Sequence, residues 1–147
     1  MRCYWEYFKY VMKHKQYMFI ACVKRGMFLH AITHDLSKFY LDEFIPFARR
    51  FNGTVHQQNM ALSDGSFDRA WNHHQKRNKH HWNYWVLDDG EVIPMPRKYI
   101  RQMHADWEAM SKKKGDTPKE FFMANVDKFN MHEDTLAEIA RLVCMEL

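Results

Sequence analysis

The chain has 147 residues, the length of one domain, and 46 % apolar with 16 % aromatic residues supply a packed core, which excludes a disordered polypeptide. Five glycines and four prolines exclude collagen-like and Pro/Gly-rich low-complexity chains. A net charge of +4 admits an anionic ligand without marking a protein of extended nucleic acid, while ten histidines ask for an explanation, since imidazole titrates near neutrality and is the commonest metal ligand.

Residues 1–15 are aromatic but interrupted by Glu6, Lys9 and Lys13, unlike the unbroken apolar core of a signal peptide. Tyr17 to Val23, the longest apolar run, is too short to span a bilayer. Cys3, Cys22 and Cys144 form no CxxC pair, which points to a reducing cytoplasm rather than a disulfide framework. Trp5, Phe8, Met12 and Cys22 punctuate a first helical region ending near Gly26, and Phe28 to Leu36 reads as a second helix. Tyr40 to Phe51 reads as a third, with Leu41, Phe44, Ile45 and Ala48 at i, i+3, i+4 and i+7 as its apolar stripe.

Thr54 to Gly65 is polar and irregular and reads as a mobile loop. Ser66 is a candidate N-cap for a helix from Phe67 through Ala70, Trp71 and His74. Val86-Leu87 and Val92-Ile93 flank Asp88-Asp89-Gly90-Glu91, a hairpin signal near 86–93. Pro96 suits the first turn of a helix running to about Lys114, where Lys112, Lys113 and Lys114 complement the helix dipole. Thr117-Pro118-Lys119-Glu120 is a capping-box pattern opening a helix to about Asn130. A last helix buries Leu136, Ile139, Ala140 and Val143. The expected fold is all-α: one domain over 1–147, a compact bundle of five to seven helices with one small β-hairpin.

The polar groups that stand out are His14, His34-Asp35, His73-His74, His80-His81, His104 with Asp106, and His132. His34-Asp35 ends an apolar helix; imidazole and carboxylate together suit a first-row divalent ion, and a buried Asp needs a cation or a capping role. Within Trp71 to Trp82, His73/His80 and His74/His81 share faces at i, i+7 if the segment is one helix, and converge from two sides if it breaks at Asn78. Either arrangement gathers imidazoles, with Lys76, Arg77 and Lys79 available for phosphate; the alternative is a solvated basic helix with Trp71, Trp82 and Trp85 as core. Asp106 shares a face with Tyr99, Met103 and Trp107, as a ligand or as half of a buried ion pair, and His104 reads as exposed. His30 lies i, i+4 from His34 but lacks the intervening general-base Glu of zincins and reads as ordinary, as does His56.

The order His14, His34-Asp35, Asp106 in a helical chain resembles the HD-domain superfamily of metal-dependent phosphohydrolases. His34-Asp35-Leu36-Ser37-Lys38 is similar to its HD-x-x-K segment, with Ser37 where Gly is usual, and extra histidines such as His73/His74 and His80/His81 occur in members with two metals. Over most of its length the chain also resembles a family of bacterial and phage proteins of unknown function, through Thr33 to Phe39, Trp71 to Trp85, Pro94-Met95-Pro96 and Met131-His132. The hydrolase resemblance implies an HD-domain-like bundle in which His14, His34, Asp35 and Asp106 hold one divalent ion, and His74 and His81, or their neighbours His73 and His80, a second. Mn, Fe, Co, Ni, Zn and Mg all remain open. It further implies hydrolysis of a nucleotide or cyclic-nucleotide phosphoester by metal-activated water, with Asp35 orienting the water and Lys38 and Arg77 balancing phosphate charge. The competing expectation is a non-catalytic nucleotide- or protein-binding module built on 71–85, with a structural metal site.

Overall fold

Tyr7, Val11, His14, Met18 and Ala21 recur at three- and four-residue steps, and this face of α1 (Arg2–Val23) is buried. The computed structural model describes residues 1–145, and in it the opposite face of α1, with Trp5, Met12 and Phe19, stays exposed. The helix packs on α2 (Phe28–Thr33), α3 (Leu41–Asn52) and α6 (Arg97–Lys114). His14 meets Asp106 and Tyr10 meets Met110, so α1 and α6 are antiparallel. Ala21, Ala31, Ala105 and Ala109 line the α1–α2–α6 contact and let these backbones approach closely. A second apolar cluster joins α1, α3 and α5 (Ser66–Arg77) through Tyr7, Val11, Phe47 and Ala70. A third joins α6, α7 (Pro118–Asn125) and α8 (Glu133–Cys144) through Met103, Trp107, Phe122 and Ile139. His14, His34, Asp35, His74 and His80 are buried among these helices.

The all-α class is observed, but with eight α-helices and three short 3₁₀ segments among the described residues rather than five to seven helices. One addition is α4 (Val55–Ser63), which replaces the mobile loop expected over 54–65. Thr54 accepts from Gln57 N–H while the Gln57 side chain accepts from Thr54 N–H, a reciprocal cap that outweighs the segment's polarity. The hairpin is also corrected. Among the described residues it reduces to one isolated antiparallel bridge, Val86 to Val92. A 3₁₀ turn at Trp82–Trp85 stops the pairing on one side, and Pro94 and Pro96, lacking N–H groups, stop it on the other. In α3 the buried face is Glu43, Pro46, Phe47 and Ala48, rotated from the predicted stripe, and Leu41 stays 73 % exposed. No described helix is long and apolar enough to cross a membrane.

Two local breaks place the polar residues. Helix α2 ends at Thr33, and His34 turns out of helical geometry (ψ 127°). Asp35 follows in the left-handed region at φ 53°, the only non-glycine to do so among the described residues. That conformation costs about 1–2 kcal/mol for an L-residue, and Asp tolerates it better than most. It removes the ~100° divergence of adjacent helical side chains, so His34 and Asp35 both point inward. The second break is at Asn78, whose side chain donates to the His74 carbonyl (2.8 Å) and to Ser37 Oγ (2.9 Å), ending α5 and turning His80 and His81 back toward His74.

Candidate metal centre

Seven side chains converge: His14 from α1, His34 and Asp35 after α2, His74 from α5, His80 and His81 beyond Asn78, and Asp106 from α6. One group surrounds His34 Nε2, which lies 3.2 Å from His14 Nε2, 3.2 Å from Asp35 Oδ2 and 3.5 Å from Asp106 Oδ1; His14 Nε2 to Asp106 Oδ1 is 3.1 Å. The other surrounds Asp35 Oδ1, 3.2 Å from His80 Nε2 and 3.6 Å from His74 Nε2, with His81 Nε2 3.0 Å from His74 Nε2. Asp35 therefore offers one oxygen to each group.

These residues fit divalent ions. Ligands at about 2.0–2.2 Å from a tetrahedral or octahedral ion stand about 3.0–3.6 Å from one another, which is the spacing found. Asp35 Oδ1 and His80 Nε2 are buried and neither has a hydrogen-bond partner among the described residues, a costly state that a shared cation relieves. Burial would raise the Asp35 carboxyl, but His34, Lys38 and His74 outweigh it and hold the group well below the usual 3.8. Asp106 is held below 3.8 in the same way, burial being overcome by His14 and His34. Burial lowers His34 to about 3 against the opposing pull of Asp35, and burial with His80 lowers His30 to about 4. Ionised carboxylates facing neutral imidazoles are the protonation state in which such residues bind metal.

A second layer fixes the ligands. His74 presents Nε2 to Asp35 and holds Nδ1 3.0 Å from Glu43 Oε2. Glu43 is fully buried, accepts from Ser37 Oγ (2.8 Å) and from Arg77 Nη1 (2.9 Å), and so fixes the His74 tautomer. Lys38 Nζ sits 2.5 Å from Asp35 Oδ2, whose charge outweighs burial and raises the lysine's pKa. His30 Nε2 lies 3.2 Å from His34 Nδ1.

Of the residues singled out from the sequence, His14, His34, Asp35, Lys38, His74, His80, His81 and Asp106 are brought together. His73 and Arg77 are not. The face of α5 that buries Ala70 and His74 turns His73 outward to Asp42 (3.1 Å). Arg77 is committed to Asp42 and Glu43, so it anchors the second layer rather than facing the centre. His132 caps α8 by accepting from Asp134 N–H (3.2 Å). His104, expected on the surface, is 4 % exposed. Glu43 escaped sequence reading, its one signal being an acid four residues before Phe47, whereas His30, read as ordinary despite its i, i+4 relation to His34, lies in one group with His34 and His80.

A cavity of about 550 Å³ opens beside the centre, lined by Lys38, His74, His80, His81 and Asp106 together with many aromatic side chains. The fold and this centre define an all-helical protein with a buried histidine–aspartate cluster suited to divalent ions, open on one side to an aromatic chamber. The profile of a family of unknown function (DUF5662) matches residues 3–145, and the chain belongs to that family. Searches of curated proteins and of solved structures gave no match.

Two expected results follow from the geometry. Replacing Glu43 by Ala leaves the His74 Nδ1 edge and Ser37 Oγ without their buried partner while Arg77 keeps Asp42, which costs about 1–3 kcal/mol, read as a lower urea midpoint; a midpoint equal to wild type contradicts the role given to Glu43. The metal-free protein also loses stability as pH falls below 6.5. Folded His30 and His34 titrate near 4 and 3, below the ordinary 6.5, so the unfolded chain takes up protons first and is favoured through that window. Asp35 and Asp106, depressed below 3.8, lose their contribution only beneath that value. Urea midpoints that stay level from pH 7 to 5 contradict this.

Proposed function

We propose that the chain is an HD-domain-like, metal-dependent phosphohydrolase acting on a nucleotide or cyclic-nucleotide phosphoester. The observation that carries the reading is Asp35, whose two oxygens face two separate imidazole groups at ligand spacing, with Lys38, His74, His80, His81 and Asp106 around it lining an open cavity. His14, His34, Asp35 and Asp106 would hold one ion, and Asp35, His74, His80 and His81 a second. Bound divalent ions supply Lewis acidity toward water and a phosphoryl oxygen.

The chain's own groups do the rest. Lys38 keeps Asp35 ionised and oriented, and lines the cavity where its charge faces an anionic substrate. Glu43 and Ser37 keep His74 Nε2 toward the centre, and the aromatic walls exclude water from it. Arg77 acts through Glu43. The free thiols Cys3, Cys22 and Cys144 support a reducing, cytoplasmic setting. A structural metal centre in a binding module is the second reading, favoured by the near-complete burial of His34, Asp35 and His74. The opening of Asp106, Lys38 and three histidines onto the cavity supports the enzyme instead.

The test is phosphate or nucleotide release from a panel of nucleotide mono- and diesters by the untagged chain with Mn²⁺, Co²⁺, Ni²⁺ or Mg²⁺. The enzyme reading expects metal-dependent release that is lost in His34→Ala. Metal uptake and zinc-dependent melting without release of any product would select the structural centre.

A further inference from the structure

Helix α1 is apolar on both sides. One side is the buried face of Tyr7, Val11, Met18 and Ala21, and the other leaves Trp5, Met12, Phe19 and Val23 exposed. A helix apolar all round belongs in an interior, so the outer side calls for a cover. Trp5, Met12 and Phe19 recur at intervals of seven, with Phe8 one turn from both Trp5 and Met12, the spacing by which one helix packs along another.

The two halves of this side differ. Near the N-terminus Trp5 stacks on Phe8 with centroids 5.6 Å apart at 15°, and Phe39 braces Phe8 edge-on, which makes a ridge. Toward the C-terminus a groove runs between α1 and α2, lined by Met12, Phe19, Ile20, Ala31 and Ile32. Lys15 borders it, but its Nζ donates to the carbonyls of Ile32 (3.1 Å) and His34 (2.9 Å), which leaves its apolar stem to the groove. Phe28 and Leu29 lie one turn before Ile32 on the same face of α2 and are exposed with it. At about 200 Å² for a large side chain, and about half exposed, the eight apolar residues of α1 and α2 on this side present roughly 800 Å². That is the share each partner gives to a standard interface, and more than a monomer usually leaves bare.

We propose that this face binds a second copy of the chain, α1 against α1, antiparallel about a twofold axis at Met12. Met12 is midway between Trp5 and Phe19, so the axis sets the Trp5–Phe8 ridge of each copy in the groove beside Phe19 of the other. A parallel pair would set ridge on ridge and groove on groove. A head-to-tail contact would leave one ridge and one groove open on every pair, whereas the twofold fills both. Lys9 and Lys15 approach each other across this axis, and both charges are already met, Lys9 by Glu6 (2.8 Å) and Lys15 by the two carbonyls.

Sedimentation of the full chain over a dilution series tests this, with chelator present so that ions do not bridge copies. Wild type sediments at twice the chain mass and dissociates on dilution. Met12→Lys and Phe19→Lys each weaken association by at least about a hundredfold, because each change enters the interface twice. Circular dichroism shows both variants folded, since both side chains are exposed. The direction is read without these variants. Trp5→Cys chains are mixed with Phe19→Cys chains, the exposed native Cys144 being replaced by Ser in both, and a short thiol cross-linker is added. Antiparallel copies yield the mixed product that joins position 5 to position 19. A chain that is monomeric at every concentration, including one that instead binds vesicles of anionic lipid through this face, overturns the proposal. So does a dimer that persists in both lysine variants, or a cross-linked yield confined to 5 with 5 and 19 with 19.

Discussion

On the proposed function, Asp35→Asn is expected to lower metal-dependent hydrolysis by about a hundredfold and to destabilise the metal-free protein by about 3–5 kcal/mol. Both effects follow from position. Asp35 is 1 % exposed and contacts His34, Lys38, His74 and His80 at once. Losing its charge removes the one group shared by the two imidazole sets and leaves the Lys38 ammonium, otherwise neutralised at 2.5 Å, without a counter-ion. Asn is the suitable replacement because it tolerates the left-handed backbone that φ 53° demands, so the local fold is kept. The double variant Asp35→Asn/Lys38→Met separates the two effects. It regains most of the stability, because the uncompensated charge is gone, and it does not regain activity. Full activity in the single variant, or equal stability of single and double variants in urea, contradicts this account of the pair.

Divalent ions raise the melting temperature of the chelator-treated protein. A ligand that binds only the folded state stabilises it by about 2.7 kcal/mol at a hundredfold excess over Kd. For a chain of this size that corresponds to a rise of about 5–11 °C. The rise is reversed by chelator, and it vanishes in Asp35→Asn. A thermal scan that is the same with Mn²⁺, Co²⁺, Zn²⁺ and chelator contradicts a metal-binding cluster.

The residues of the candidate site were largely legible in the sequence, because His34-Asp35, the doublets near Trp71 and the isolated Asp106 are unusual residue types on otherwise apolar segments. Their convergence was not. A period-3.6 pattern runs smoothly through His34 to Leu36, and nothing in it announces the left-handed turn at Asp35 that aims both side chains inward. The choice of His74 over His73 depends on which face of α5 meets α3, a tertiary fact. Glu43 is the clearest loss: its partners Ser37, His74 and Arg77 are scattered along the chain, so no local pattern announces the buried charge network. Thr54 to Gln57 is the opposite case, where a capping-box pattern lies in the sequence itself and overrides the polar composition of the segment. The Asp-Gly turn at 89–90 forms, yet the flanking Trp82–Trp85 turn and the prolines leave it a single bridge.

The measurement that bears most directly on the histidine–aspartate cluster is the metal content of the untagged chain, equilibrated with Mn²⁺, Co²⁺, Ni²⁺ or Zn²⁺ and freed of excess ion. Two ions per chain in wild type, falling to none or a weakly held one in Asp35→Asn, is the predicted result. A wild-type chain that retains no ion of any of the four would contradict the central claim.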